Sequence, residues 1–104
     1  LLGGQTEEGI GVSKVIVWTK PSCMQCRLVK FRLEAAGVPF EEMDLTAPES
    51  AKDLEYFRGL GYLSAPITEY GGIAVPGFMP SEIDRVIDAW RVDHPAAVKV
   101  EGQS

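Results

Sequence analysis

The spacing of apolar residues changes several times along this chain, and each change marks an element. Lys14 to Thr19 is a short β-branched run closed by Pro21, which predicts a buried strand. From residue 23 the period lengthens to that of a helix. Met24, Leu28, Phe31 and Ala35 form one apolar stripe, and Cys26, Val29, Leu33 and Ala36 form a second, nearly opposite one. Ser22 is the predicted cap and Gly37 the stop, and a helix apolar on two sides is expected to pack between the sheet and the last helix. Phe40 to Leu45 reads as a second strand. Thr46 and Glu49 have the spacing of a capping box, opening a helix through Leu54 and Phe57 to the Gly59/Gly61 region. Ile67 to Tyr70 and Ile73 to Val75 flank Gly71-Gly72, a hairpin signal. Pro80 opens a last helix with Ile83, Val86, Ile87 and Trp90 at i, i+3, i+4 and i+7.

The resulting order, β-α-β-α-β-β-α, predicts an α/β domain. Its first two strands are parallel through a helical crossover, and its final hairpin adds an antiparallel edge, giving a four-stranded mixed sheet flanked by three helices. Trp18, Phe31, Phe57 and Trp90 are expected in the core. Residues 1–13 hold four glycines and no usable period, so they are read as a flexible leader or expression remnant outside a domain spanning 14–91. Residues 92–104 read as a C-terminal tail, with Pro95 blocking helix continuation.

Composition narrows the function classes. With 104 residues, 45% of them hydrophobic, the chain suits one domain with one core and needs no staple. No apolar run approaches the ~20 residues that span a bilayer, and no secretory signal is visible, so a cytoplasmic monomer without membrane contact is expected. A net charge of −5 argues against nucleic acid as a partner. The charge is uneven: Lys14, Lys20, Arg27, Lys30 and Arg32 precede Glu34, after which acids dominate to Glu55.

The basic segment holds the only two cysteines, in "TKPSCMQCR" at residues 19–27. Around the helix, Cys23 falls on the edge shared with Arg27, Lys30 and Glu34, and Cys26 falls on a stripe, so Cys23 is expected accessible and Cys26 buried. A cysteine in the first helical turn meets free N–H groups and the positive end of the dipole, and Lys20, Arg27 and Lys30 add potential that favours a thiolate. Three readings follow. A structural zinc site needs four ligands, and only Cys23, Cys26 and His94 are soft candidates, with His94 in the tail. An inert buried pair is the second reading. A working dithiol is the one the exposed/buried asymmetry favours, with no metal.

"VWTKPSCMQCR" after the first strand, "GYLSAPI" at residues 61–67 and "GFMPSEID" at 77–84 resemble, in order and spacing, the NrdH-redoxin family, over about residues 14–91. The resemblance implies a thioredoxin fold with glutaredoxin-like sequence and thioredoxin-like activity. It makes Cys23 the nucleophile and Cys26 the resolving thiol of a redox-active Cys23–Cys26 disulfide, with no bound cofactor. It implies class Ib ribonucleotide reductase as substrate protein, and thioredoxin reductase, drawing on NADPH, as the source of electrons. Pro66 resembles the family's cis-proline and Ala65 the neighbour whose backbone pairs with an extended substrate. Lys20, Met24, Gln25, Gly77 and Phe78 complete the expected substrate contacts. The chain departs from the family's W-S-G-F-R-P stretch at Val75, Pro76 and Met79. It also lacks the Asp pair shared by glutathione-using glutaredoxins, having Glu82 and Asp84 instead. A glutathione-dependent glutaredoxin is the alternative reading, and a redox-responsive Spx or arsenate-reductase-like binding module a further one. The latter inserts a helical segment before its last strands, which the short span from Leu45 to Pro66 disfavours.

Overall fold

A computed structural model of the protein describes residues 14–95. Residues 1–13, expected as a leader, lie outside them, as do residues 96–104. The elements are β1 (Val15–Thr19), α1 (Met24–Ala35), β2 (Phe40–Asp44), a 3-10 turn (Pro48–Ser50) running into α2 (Ala51–Gly59), β3 (Ile67–Tyr70), β4 (Ile73–Pro76) and α3 (Pro80–Asp93). The sheet order is β2-β1-β3-β4, with β1 parallel to β2 and antiparallel to β3, and β3 antiparallel to β4. The predicted element order and mixed sheet are those observed.

Alternation along β1 divides the core between the two faces of the sheet. Val15 and Val17 point into a cluster with Val29 and Leu33 of α1, Val75 of β4, and Ile83, Val86, Ile87 and Trp90 of α3. Ile16 and Trp18 point the other way, toward Phe57 and Leu54 of α2, with Leu45 and Ile67. The Phe57 ring meets Trp18 edge-on at 5.5 Å and stacks on Tyr62 at 6.4 Å. Gly71, at φ 57°, turns the β3–β4 hairpin, where a side chain would be strained.

Four expectations need correction. Ser22 does not cap α1. It takes φ 55°, and the cap is Cys23, in extended conformation. Thr46 and Glu49 do not form a capping box, because Asp44 Oδ1 accepts both the Thr46 N–H (2.8 Å) and its hydroxyl (2.6 Å). The Thr46 side chain is thereby tied to the end of β2, and the chain enters α2 through the 3-10 turn. α1 is not sandwiched: Cys26, Val29 and Leu33 are buried, but the opposite stripe faces solvent, and Phe31 is 68% exposed and outside the core. α3 runs to Asp93, past the expected start of the tail. There the Tyr70 hydroxyl donates to Asp93 Oδ2 at 2.5 Å, and His94 stacks on Trp90 at 4.4 Å.

Polar ties fix α1 over the sheet. Arg32 donates twice to Asp84 of α3, each bond 2.9 Å, and Arg91 donates to the Ala36 carbonyl at 3.1 Å. Glu42 of β2 accepts from Lys30 and from Thr19, both at 3.0 Å. These fix the second half of α1 against β2 and α3.

Candidate functional site

Pro21 and the left-handed Ser22 reverse the chain after β1, so α1 begins at the rim of the sheet with a cysteine as its cap. The helix start leaves backbone N–H groups without carbonyl partners, and the Cys23 sulfur takes one of them. Cys23 Sγ accepts the Cys26 N–H at 3.1 Å. The two cysteines form a disulfide with Cα atoms 5.2 Å apart, so this is the oxidised state. Cys23 is half-buried and Cys26 is 2% exposed, packed with Trp18, Leu45, Phe57, Ala65 and Ile67. The expected asymmetry is present.

Two loops close on the dithiol. The Ala65–Pro66 bond is cis, as the resemblance implies, with both residues buried. The Pro66 carbonyl accepts the Gly77 N–H at 2.7 Å, which latches the β4–α3 loop onto the loop before β3. Gly77 takes φ 75°, and a Cβ there would lie 3.9 Å from Gln25 Oε1, so the latch rests beside the cysteine helix. Ala65, Pro66, Gln25 and Gly77 are thus gathered around the cysteines. Met24, 65% exposed, lies next to Cys23 on the solvent side of α1. Phe78 is placed differently, half-buried against the Val15–Trp90 cluster and contributing packing to it. Lys20 lines a cavity of about 170 Å³ with Leu45, Thr46, Leu54, Arg58, Leu63, Ser64 and Ala65. Arg58 was not expected there, and no motif marks it; the fold alone brings it to the cavity that Lys20 lines. Among the described residues no group of three or more His, Cys, Asp or Glu is arranged to hold a metal ion.

The start of α3 also bears on ligand choice. Glu82 accepts from Arg85 at 2.6 Å, and Asp84 is held by Arg32. The Arg32 hydrogen bonds keep the Asp84 carboxyl below the usual carboxylate range.

A cysteine capping a helix, a buried second cysteine three residues on and a cis-proline whose preceding alanine packs in the cluster of that second cysteine, carried on a four-stranded sheet with three helices, define a dithiol–disulfide redoxin of the thioredoxin fold. The sequence model of the family described as Glutaredoxin matches residues 15–72. The chain is 35% identical over 75 residues to the Gene 56 protein of Mycobacterium phage L5, covering 71% of this chain and 72% of that one. It is 32% identical over 72 residues to the glutaredoxin-like protein NrdH of Lactococcus lactis subsp. lactis, covering 69% and 97%. Among solved structures it matches one described as the basis for the thioredoxin-like activity profile of the glutaredoxin-like NrdH-redoxin from Escherichia coli. That match has a TM-score of 0.63 and 26% identity, and covers 70% of this chain and 93% of that one. The protein belongs to the glutaredoxin family and, within it, to the NrdH-redoxins.

Proposed function

We propose that this redoxin passes electrons to a protein disulfide, with class Ib ribonucleotide reductase as the substrate, and is re-reduced by thioredoxin reductase at the cost of NADPH. The observation that carries the dithiol chemistry is the pairing of a half-exposed Cys23 at the helix cap with a buried Cys26. In the reduced protein the Cys23 thiolate attacks one sulfur of the substrate disulfide. A Cys23–substrate bond forms, the substrate bond breaks, and its second sulfur leaves as a thiolate that takes a proton. Cys26, deprotonated, then attacks Cys23 Sγ. The Cys23–Cys26 bond forms, the substrate's first sulfur leaves and is protonated, and two electrons have passed to the substrate. The Cys26 N–H that meets Cys23 Sγ supports negative charge there before the first attack.

The choice of reductase is supported by the start of α3. A glutathione-using site needs a free carboxylate for the tripeptide's ammonium, and here Glu82 and Asp84 are both engaged by arginines. The described residues include no helix long and apolar enough to cross a membrane, and a reducing cytoplasm is the compartment in which such a dithiol turns over. NADPH acts only through the reductase, and the redoxin itself needs no bound cofactor.

One observation favours the glutathione-dependent reading. Lys20 and Arg58 flank the cavity beside Ala65, a place suited to a carboxylate. Comparing NADPH consumption with thioredoxin reductase against glutathione plus glutathione reductase separates the two readings. Turnover is expected with the former and little with the latter, and activity in the glutathione-coupled assay alone would reverse the assignment.

A further inference from the structure

The solvent face of α1 carries apolar surface that the fold does not use. Met24 and Phe31 are 65% and 68% exposed, and Leu28 is 40% exposed. They stand at i, i+4 and i+7, with Ala35 a turn further, so they form a strip ~16 Å long at 1.5 Å per residue. Single exposed apolar side chains are ordinary, whereas an aligned set marks a contact surface. The strip starts at the residue after Cys23. At ~100° per residue, Cys23 and Arg27 lie along one border and Gln25 and Arg32 along the other. The charges around it are unequally committed. Arg32 is held by Asp84 and Lys30 by Glu42, while Arg27 is exposed and has no ion-pair partner among the described residues.

We infer that the strip Met24–Leu28–Phe31, with Arg27 on its border, is the surface on which the oxidised substrate protein docks. The occupant is a folded protein whose disulfide is flanked by apolar side chains and by a carboxylate that meets Arg27. This rests on the protein-disulfide reading above. Two features argue for that occupant. The first is continuity: the reaction joins a substrate sulfur to Cys23, so a protein in that mixed disulfide lies over the neighbours of Cys23, and the strip is the apolar part of that neighbourhood. The second is charge complementarity. On a chain of net charge −5, an uncommitted cation beside the nucleophile favours the approach of an acidic partner on that side. The strip lies off the Gln25 border where Pro66 and Gly77 gather, so it contacts the body of a partner whose disulfide segment has entered at Ala65. A small disulfide reaches Cys23 without meeting Leu28 or Phe31.

The test uses pre-reduced full-length protein without any reductase, reacted with bis(2-hydroxyethyl) disulfide or with insulin, an acidic protein. Loss of redoxin thiols is followed in wild type and in Leu28→Ser/Phe31→Ser. Both substitutions are at exposed positions, and an unchanged circular dichroism spectrum and melting temperature show that the variant is folded. Equal rates are expected on the small disulfide, with about a tenfold loss on insulin, the scale of removing a central interface anchor. Added salt should slow wild type on insulin and leave the uncharged small disulfide unaffected. Equal rates of wild type and variant on insulin overturn the inference. So does an equal slowing on both substrates, which would place the defect in the dithiol. A wild type that sediments as a dimer while the variant is monomeric assigns the strip to a second copy and also overturns it. The same holds if a photo-crosslinker at residue 31 joins the isolated chain to its own ends. A wild type that reduces the small disulfide but not insulin defeats the protein-disulfide reading itself.

Discussion

At residue 23 a sulfur does the work that serine, threonine or aspartate usually does at a helix start. Because Cys23 Sγ takes the Cys26 N–H, the sulfur proposed to attack is oriented by the backbone of the residue that later releases it from the substrate. Cys26→Ser should therefore accumulate a mixed disulfide on Cys23 with a protein substrate, seen by intact mass, while Cys23→Ser traps nothing. Trapping by Cys23→Ser instead would exchange the two roles. Alkylation of reduced wild type at mildly acidic pH should also label Cys23 first. A second residue stands out for what it lacks. Thr68 is 0% exposed between Val17 and Val75, and its hydroxyl has no hydrogen-bond partner among the described residues. Replacing that hydroxyl with a methyl of the same shape removes an unpaid desolvation, so Thr68→Val should raise unfolding stability by about 1–2 kcal/mol in urea titrations. A loss of stability would show that the hydroxyl is satisfied in solution.

At the scale of elements, the order and the cysteine asymmetry were legible in the sequence because each rests on periodicity, which reports faces directly. What periodicity does not report is whether a neighbour covers a face. Both stripes of α1 look alike in sequence, and only the packing shows that Phe31 is bare while Val29 and Leu33 are covered. The caps failed for a related reason. Thr46 had a rival partner two residues earlier in Asp44, and Ser22 was diverted by its left-handed turn. In the site, the cysteines were legible. The latch of Gly77 on Pro66 joins residues from separate loops, and Arg58 comes to line the same cavity as Lys20 only through the placement of α2, so resemblance supplied the first two residues and nothing supplied the third.

The tie between β3 and α3 yields a pH dependence. Burial first, and then the hydrogen bond to Asp93, push the Tyr70 hydroxyl up to about 12 from its ordinary value of about 10. Below pH ~10 the phenol is neutral in both states and its contribution is complete. As pH rises toward about 12 the unfolded chain ionises and the folded one does not, so stability falls through that window. Tyr70→Phe should cost about 1–2 kcal/mol at neutral pH, for loss of a hydrogen bond to a carboxylate. The variant should lack this part of the alkaline decline, so its deficit narrows above pH ~10. A deficit constant across that range would show that Tyr70 is not the titrating group.

For the molecule as a whole, the order β2-β1-β3-β4 leaves two strands with an open side. Glu41, Glu42 and Asp44 crowd β2 with like charge. On β4 the Gly77 N–H points inward to Pro66, and successive amides alternate in direction, so the missing amide of Pro76 falls on the outer side. Both margins are thus poor templates for another chain's strand, and the departure from the family pattern at Pro76 acquires a colloidal meaning. Pro76→Thr restores an outward donor without touching the inner ladder. It should leave the melting temperature nearly unchanged while hastening thioflavin-positive aggregation under agitation, and indistinguishable aggregation kinetics would deny Pro76 that part. For a carrier that must present a sulfur and an apolar strip to other proteins, stickiness is then confined to the face where exchange occurs, and the sheet itself stays closed to fibre growth.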